Sequence, residues 1–308
     1  MAPLSADMRT GVLIVTTDFK PNRGGVAEYL HQAAIAVTRL GLRCAVLTTV
    51  PAAENGDHNG APYDVVRLRP DRGPGWGSLN WRSIGREARR VEAGLILCGG
   101  LRSRPMQCLV AALFTRCRFG LVVYGRELQP HRRFRIRIQD RIALWLANPV
   151  VAISRYTAEL ACARGARRRA VRLVPPALDW GKLEAEPDMS LLGAVRSRYG
   201  LHGKYVLLTL GRVVERKGHD LVLKALPQLR DAIPHIRYVI AGDGPHVAPL
   251  RHLVEELGVQ DRVCFAGSLR DGEVSALLAA SDAFVMPSRE LPDGDVEGFG
   301  IVFQEANA

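Results

Sequence analysis

Short, continuously apolar runs alternate with helical patterns along the whole chain. Val12-Leu13-Ile14-Val15-Thr16 predicts a buried strand. The stretch from Val26 to Leu40, with Leu30, Ala33, Ala34 and Val37 at helical spacing, predicts the helix after it, and Gly41 stops that helix. Further strands are predicted at Cys44 to Thr49, Asp64 to Leu68, Leu95 to Cys98, Leu121 to Tyr124, Val150 to Ile153 and Val171 to Val174. Strands that are apolar on both faces and separated by helices imply a parallel sheet covered on both sides.

Pro175-Pro176 and the segment to Pro187 mark a boundary, after which the alternation restarts. Tyr205 to Leu210, Arg237 to Ala241, Val263 to Phe265 and Ala283 to Met286 read as strands. Leu221 to Leu229, Val247 to Leu257 and Val274 to Ala280 read as helices between them. The predicted fold class is α/β, with two Rossmann-like, doubly wound parallel-sheet domains, residues 1–180 and 181–308. Two such domains in tandem are expected to face each other across a cleft. Ligands of open α/β sheets bind at the carboxyl ends of the strands, near helix N-termini.

Composition adds limits. The 308 residues are 47% hydrophobic, enough to fill two cores. Met1 to Arg9 lacks the apolar run of a signal peptide, and the longest apolar stretch, Ile142 to Ile153, is interrupted at Asn148-Pro149. A cytoplasmic protein is expected. The six cysteines show neither a C-x-x-C pair nor paired spacing with His, so reduced thiols are expected and a zinc site is not.

Charge changes the picture more. The net charge is +11, but Leu101 to Arg172 alone carries sixteen Arg and no Lys against Glu127, Asp140 and Glu159, a local excess of +13. Such a surface is either simply solvated or meets anionic headgroups or a phosphorylated acceptor. Arg132-Arg133-Phe134-Arg135-Ile136-Arg137-Ile138, running into Ile142, Leu144, Trp145 and Leu146, fits a membrane-surface helix and fits equally a core helix with one basic face. Aromatics, at 6%, are not interleaved with the Arg run, which argues against a stacking platform for nucleic acid.

Candidate chemistry sits where strands end. Gly24-Gly25 opens the first helix and would let a backbone approach an anionic ligand, although a plain tight turn accounts for it as well. Arg212, after Gly211, and Lys217, before Gly218, are two cations flanking a turn, able to clamp a diphosphate or merely to be solvated. Gly242-Asp243-Gly244-Pro245 reads as a structural turn. Glu297 and Glu305, with seven residues between them, form the strongest pair. If both lie on one helix, the rise between them is about 12 Å, close to the distance from a hexose to a ribose across a diphosphate. Asp293, Asp295 and Glu297 also crowd acid before a helix, where capping explains one of them but not Glu305.

Taken in order, these segments resemble the retaining family-4 glycosyltransferases of the GT-B fold. The matching elements are Gly24-Gly25-Val26-Ala27-Glu28-Tyr29, Ile153-Ser154-Arg155-Tyr156-Thr157, Val174-Pro175-Pro176-Ala177-Leu178-Asp179, Gly211-Arg212 with Lys217-Gly218, Gly242-Asp243-Gly244-Pro245, Val263-Cys264-Phe265-Ala266-Gly267, Ser281-Asp282-Ala283-Phe284-Val285-Met286-Pro287-Ser288 and the glutamate pair. The wording near Glu297 is most similar to the phosphatidylinositol mannosyltransferase and related hexosyltransferase branch.

The resemblance implies that Arg212 and Lys217 hold the donor diphosphate and neutralise the departing nucleotide, and that Glu297 binds donor sugar hydroxyls. It implies that amides of Phe299, Gly300 and Ile301 orient sugar and phosphate, that Glu305 accepts the ribose hydroxyls, and that Gly24 and Gly25 approach the diphosphate from the other domain. The expected donor is a GDP-mannose or UDP-hexose, the acceptor a carbohydrate or lipid-linked hydroxyl, and no metal or other cofactor is expected. Peripheral contact with the inner face of an anionic membrane is a further expectation, and nucleic acid is not an expected partner.

The chain departs from the family pattern in three places. Arg126, in Tyr124-Gly125-Arg126-Glu127-Leu128, stands where many members have His near the anomeric carbon, and Ala177 stands where Gly is usual. The family also continues for roughly half a domain beyond Ala308, so the second domain is expected to be incomplete and the chain a fragment, weakly stable or inactive alone. A non-catalytic basic module binding anionic membrane or nucleic acid, and a sugar-nucleotide epimerase, are the competing readings.

Overall fold

The computed structural model describes residues 10–22, 24–52, 61–68, 79–129, 134–177, 188–292 and 294–307, with the backbone alone at residue 271. Asp293, Arg132, Arg133 and the predicted boundary segment 178–187 lie outside the described residues. The chain divides into two compact units, Met1–Ala177 and Leu178–Ala308.

In the first unit the described strands are β1 (Gly11–Thr16), β2 (Cys44–Thr48), β3 (Asp64–Arg67), β4 (Ala93–Cys98), β5 (Arg118–Val123), β6 (Val150–Ala152) and β7 (Val171–Leu173). They form one parallel sheet in the order β3-β2-β1-β4-β5-β6-β7. Every residue of β1 and β2 is buried, as parallel strands covered on both faces require. The crossover helices are α1 (Gly25–Arg39), α2 (Trp81–Arg90), α3 (Pro105–Thr115), α4 (Phe134–Leu146) and α5 (Arg155–Ala163). Gly41, at φ +76°, ends the first of these in the left-handed conformation that favours glycine. One core joins Leu13, Val15, Leu47, Ile96, Leu121 and Val123 to Ile84, Leu109 and Leu144 of the helices.

The second unit holds β8 (Tyr205–Leu210), β9 (Ile236–Ala241), β10 (Val263–Gly267) and β11 (Ala283–Phe284), in the order β10-β9-β8-β11, all parallel. Its helices are α6 (Met189–Tyr199), α7 (His219–Ala232), α8 (Val247–Glu256), α9 (Asp271–Ala279) and α10 (Ile301–Asn307). Strand alternation divides the interior between two faces. Leu208, Val239 and Ala241 pack with Leu192, Val195 and Leu277, while Ile236, Tyr238 and Ile240 pack with Val222, Leu226 and Leu250.

Both sheets share a feature that decides where ligands go. In each, the first strand is flanked by its second and fourth, so the chain winds outward in opposite directions from that point. The loops after β1 and β4, and after β8 and β11, therefore diverge at the carboxyl ends of adjacent strands, and open α/β sheets bind ligands in that crevice.

Candidate functional site

A dense polar cluster follows β8 and β11. Gly211 leaves β8 at φ +130°, and a Cβ added there would lie 2.4 Å from the Lys217 Nζ. The missing side chain is thus the space the ammonium occupies. Lys217 closes a 3₁₀ turn, Glu215–Lys217, and is only 8% exposed, with its Nζ 3.5 Å from the Leu210 carbonyl. Gly242 and Gly244 have a packing reason too. A Cβ at Gly242 would come within 2.0 Å of the Gly211 carbonyl oxygen, and one at Gly244 within 2.2 Å of the Val213 carbonyl oxygen. The loops after β8 and β9 run backbone against backbone, and Val213 N–H donates to the Asp243 carbonyl at 2.9 Å.

The loop after β11 is tied to the same turn. Gly218, at φ +71°, packs so tightly that a Cβ would meet the Pro287 carbonyl oxygen at 2.1 Å. Arg289 N–H donates to the Arg216 carbonyl at 2.8 Å, and the Arg289 guanidinium reaches Asp220 at 2.9 Å and Glu215 at 3.4 Å. The Arg216 guanidinium in turn pairs with Glu297 and lies 3.6 Å from Asp295. The Arg216 and Glu297 side chains are each about one-fifth exposed, at 21% and 22%, so the pair is shielded but open on one side.

The charges are mutually adjusted. Burial holds the Lys217 ammonium below the usual lysine range, with the Glu297 and Glu305 carboxylates acting against that shift and Arg216 adding to it. Both glutamates therefore lie within electrostatic reach of one buried lysine. Burial works against ionisation of Asp220, and the hydrogen bond and charge of Arg289 outweigh it, leaving its carboxyl below the usual range. His219, the first residue of α7, is 1% exposed, and among the described residues neither ring nitrogen has a hydrogen-bond partner. Burial pushes it down to about 4, with the charges of Lys217 and His246 adding and Asp220 opposing.

Of the residues singled out in the sequence, Lys217, Glu297 and Glu305 come together here. Arg212 stands on the same loop but is exposed, with no ion-pair partner among the described residues. Glu297 is not on the helix, which corrects the helical spacing expected for the pair. The helix begins at Ile301, because Gly300 adopts φ +74° directly before it, so Glu297 sits in the preceding loop and Glu305 little more than one turn in. Asp295 does not cap that helix either; it faces Arg216. Phe299 and Ile301 are half-buried on either side of Gly300, where a Cβ would meet the Phe303 ring at 2.9 Å. Arg216 is the residue of this cluster that sequence reasoning missed. Its only signal was adjacency to Lys217.

In the first unit, Gly24 and Gly25 are exposed at the start of α1, and Cβ atoms added to them would meet nothing within 4 Å. Neither has a left-handed φ, so among the described residues neither a tight turn nor packing demands glycine. Arg126 is exposed in a 3₁₀ turn after β5, which β4 separates from β1. Beside it, burial raises the Glu127 carboxyl, partly offset by hydrogen bonds from backbone N–H groups, with that of Tyr124 first.

Residues 195–308, the segment that builds this cluster, match the family Glycosyl transferases group 1. Over 310 aligned residues the chain is 33% identical to a GDP-mannose-dependent alpha-(1-6)-phosphatidylinositol monomannoside mannosyltransferase of Mycolicibacterium smegmatis, covering 96% of this chain and 78% of the relative. The chain belongs to the glycosyl transferases group 1 family. Among solved structures of similar fold, that of Anabaena HepE in complex with UDP superposes with a TM-score of 0.72 at 22% identity, covering 96% of this chain and 78% of HepE. Sucrose-phosphate synthase from Thermosynechococcus elongatus superposes with a TM-score of 0.70 at 18% identity, with the same coverage, 96% and 78%. This group 1 glycosyltransferase has the GT-B fold and is a transferase, which sets aside the epimerase and the non-catalytic module. Among the described residues no helix is long and apolar enough to cross a membrane.

Proposed function

We propose that this glycosyltransferase moves a hexose, with retention of configuration, from a nucleoside-diphosphate sugar to an acceptor hydroxyl. The observation that carries the reading is the buried Lys217 with Glu297 and Glu305 in its field at the β8/β11 switch point. One cation and two carboxylates at that point match the needs of a sugar linked through a diphosphate to a ribose. Lys217 and Arg212 would take the diphosphate, Lys217 as a desolvated point charge and Arg212 as an exposed fork. Glu297 would accept hydrogen bonds from the sugar hydroxyls and Glu305 from the ribose. Backbone amides around Phe299, Gly300 and Ile301 would orient the sugar, and Gly24 and Gly25, at the start of α1, would let a backbone approach an anion.

In the reaction the bond from the anomeric carbon to the diphosphate oxygen breaks, and a bond from that carbon to the acceptor oxygen forms on the same face. The acceptor proton passes to the departing diphosphate. Cationic side chains neutralise that leaving group, so the proposed chemistry needs no metal. Arg126, in the place of the family's usual His, offers a forked guanidinium and suits an acceptor that itself carries phosphate.

GDP-mannose is the proposed donor and a lipid-linked acceptor of the phosphatidylinositol mannoside kind the proposed acceptor, by analogy with the 33% identical mannosyltransferase of Mycolicibacterium smegmatis. The protein would then act from the cytoplasmic face of a membrane. Incubation with GDP-mannose or UDP-glucose, lipid extracts and a chelator tests all parts at once. The expected product is an α-linked mannolipid formed from GDP-mannose with the chelator present. A β-linked product, or transfer only when a divalent metal is supplied, contradicts the mechanism, and exclusive use of UDP-glucose contradicts the donor.

A further inference from the structure

The turn after β5 is held from within by a carboxylate. Gly125 follows Tyr124 at φ +124°, a conformation open to glycine because no side chain restrains the backbone there. The 3₁₀ turn Arg126–Leu128 comes next, with the Leu128 N–H donating to the Gly125 carbonyl at 2.9 Å and the Gln129 N–H to the Arg126 carbonyl at 3.1 Å. The Glu127 side chain reaches back over this turn. Its Oε1 accepts from the Tyr124 N–H at 2.5 Å, and the carboxylate also takes the N–H groups of Gly125 and of Glu127 itself. Backbone donors converging on one carboxylate fix the path of the chain through Gly125.

Both ends of the turn are anchored. Leu128 is buried, and the Tyr124 ring packs edge-on against Tyr29 of α1, with the ring centres 5.8 Å apart. Between these anchors Arg126 is exposed. A second exposed guanidinium, Arg102 on the loop after β4, lies within electrostatic reach of Glu127 and lowers its carboxyl. Strands β4 and β5 are neighbours in the sheet, so the two arginines stand on adjacent loops at the carboxyl ends of strands, where open α/β sheets take ligands. Capping of a turn accounts for a back-bond from Glu127. It does not account for a carboxylate in that place, since burial opposes its charge and a neutral side chain would cap without that penalty.

We propose that Glu127 is a positioning residue: by holding the backbone from Tyr124 to Glu127 it directs the Arg126 guanidinium outward on the loop beside that of Arg102, and the two guanidiniums bind the phosphate of an acidic acceptor. The inference rests on the acceptor reading given above for Arg126 and adds two residues to it. A charged anchor suits the task better than a neutral one. Two guanidiniums on adjacent loops repel each other, and a carboxylate fixed by main-chain donors near them offsets that repulsion. The acceptor phosphate then meets two forks rather than one, each matched to its oxygens.

The test is steady-state transfer from GDP-mannose to phosphatidylinositol monomannoside, set beside transfer to uncharged octyl mannoside. Glu127→Ala and Arg126→Ala should each raise the KM for the phospholipid by at least about tenfold, as expected for loss of a charge-assisted bond, and leave the KM for GDP-mannose as in the parent. The Glu127→Ala/Arg126→Ala double variant should be no worse than either single one, because Glu127 acts through Arg126. Glu127→Gln still offers an oxygen to the backbone N–H groups and should recover most of the loss. Arg102→Gln should raise the KM for the phospholipid and spare octyl mannoside. GDP binding unchanged from the parent certifies that each variant is folded. A parent that transfers nothing to the phospholipid fails the acceptor reading, and this inference with it. With an active parent, additive losses in the double variant, equal losses on octyl mannoside, or a Glu127→Gln as poor as Glu127→Ala overturn the positioning role alone. Amide exchange over residues 124–129 checks the anchor without turnover. Exchange should quicken in Glu127→Ala and stay slow in Glu127→Gln, and an unchanged pattern in Glu127→Ala overturns the proposal.

Discussion

The guanidinium of Arg216 holds the carboxylate of Glu297, joining the turn after β8 to the loop after β11. Asp295 lies on the same guanidinium, and the Arg216 carbonyl accepts from Arg289 N–H, so one residue fixes both loops by side chain and backbone. In the proposed reading Glu297 meets the sugar and Lys217, next to Arg216, meets the diphosphate. Arg216→Ala should therefore weaken a nucleotide-sugar by at least about tenfold, in keeping with the ~1.5–3 kcal/mol of a charged hydrogen bond, and weaken the bare nucleotide far less. Arg216→Lys should recover part of the loss. Titration calorimetry with GDP and GDP-mannose measures the difference, and equal losses for both ligands would remove the positioning role.

Lys217 separates function from stability. Its ammonium is buried, and its one hydrogen bond among the described residues, to the Leu210 carbonyl, is long at 3.5 Å. Lys217→Met keeps the volume and removes a desolvated charge, so thermal stability should hold or rise while nucleotide affinity falls by at least about tenfold. A fall in both would mean that the lysine serves mainly to hold the turn.

Gly211→Ala attacks the same point from the other side. The new Cβ would lie 2.4 Å from the Lys217 Nζ, on a residue at φ +130°. Displacement of the ammonium and backbone strain together should cost about 1–3 kcal/mol of stability and most of the nucleotide affinity. Urea midpoints and the same calorimetry measure the two losses, and an alanine variant that binds GDP normally would show that the ammonium is not needed there.

His219 gives the second unit a pH dependence with a fixed sign. Its folded value, about 4, lies below the ordinary 6.5. Between those values the unfolded chain takes up a proton that the folded chain refuses. The stability it contributes is whole above pH 6.5 and is lost as the pH falls toward 4. The loss is at most about 3 kcal/mol. Urea midpoints of the parent and of His219→Leu across this range should converge or cross as the pH drops, because the leucine variant has no such proton to refuse. Parallel curves would contradict the assignment.

The fold was legible because parallel strands announce themselves: Val12 to Val15, Leu121 to Val123 and Val206 to Leu208 are apolar without interruption, and each lies within an observed strand. The site was legible where glycine marks a close approach. Gly211, Gly218, Gly242 and Gly244 each leave room for a neighbour a Cβ would hit. Side-chain direction was not legible. Arg216 reads as one more surface arginine until Gly218 packs against Pro287 and aims the turn at Glu297. The left-handed Gly300 moved Glu297 off a helix that the acid spacing alone had extended through it. In α4, apolar residues on both faces left the buried side undecided, and the small Ala143 next to Leu144 settled it by fitting against the core.

The most direct measurement is calorimetric titration of GDP and UDP into the parent chain, Lys217→Met and Glu305→Gln. The account predicts one nucleotide site per chain, preferring GDP, with both variants weakened by at least about tenfold and still folded. Absence of binding in the parent, or binding that neither substitution disturbs, would contradict a donor site at the β8/β11 switch point.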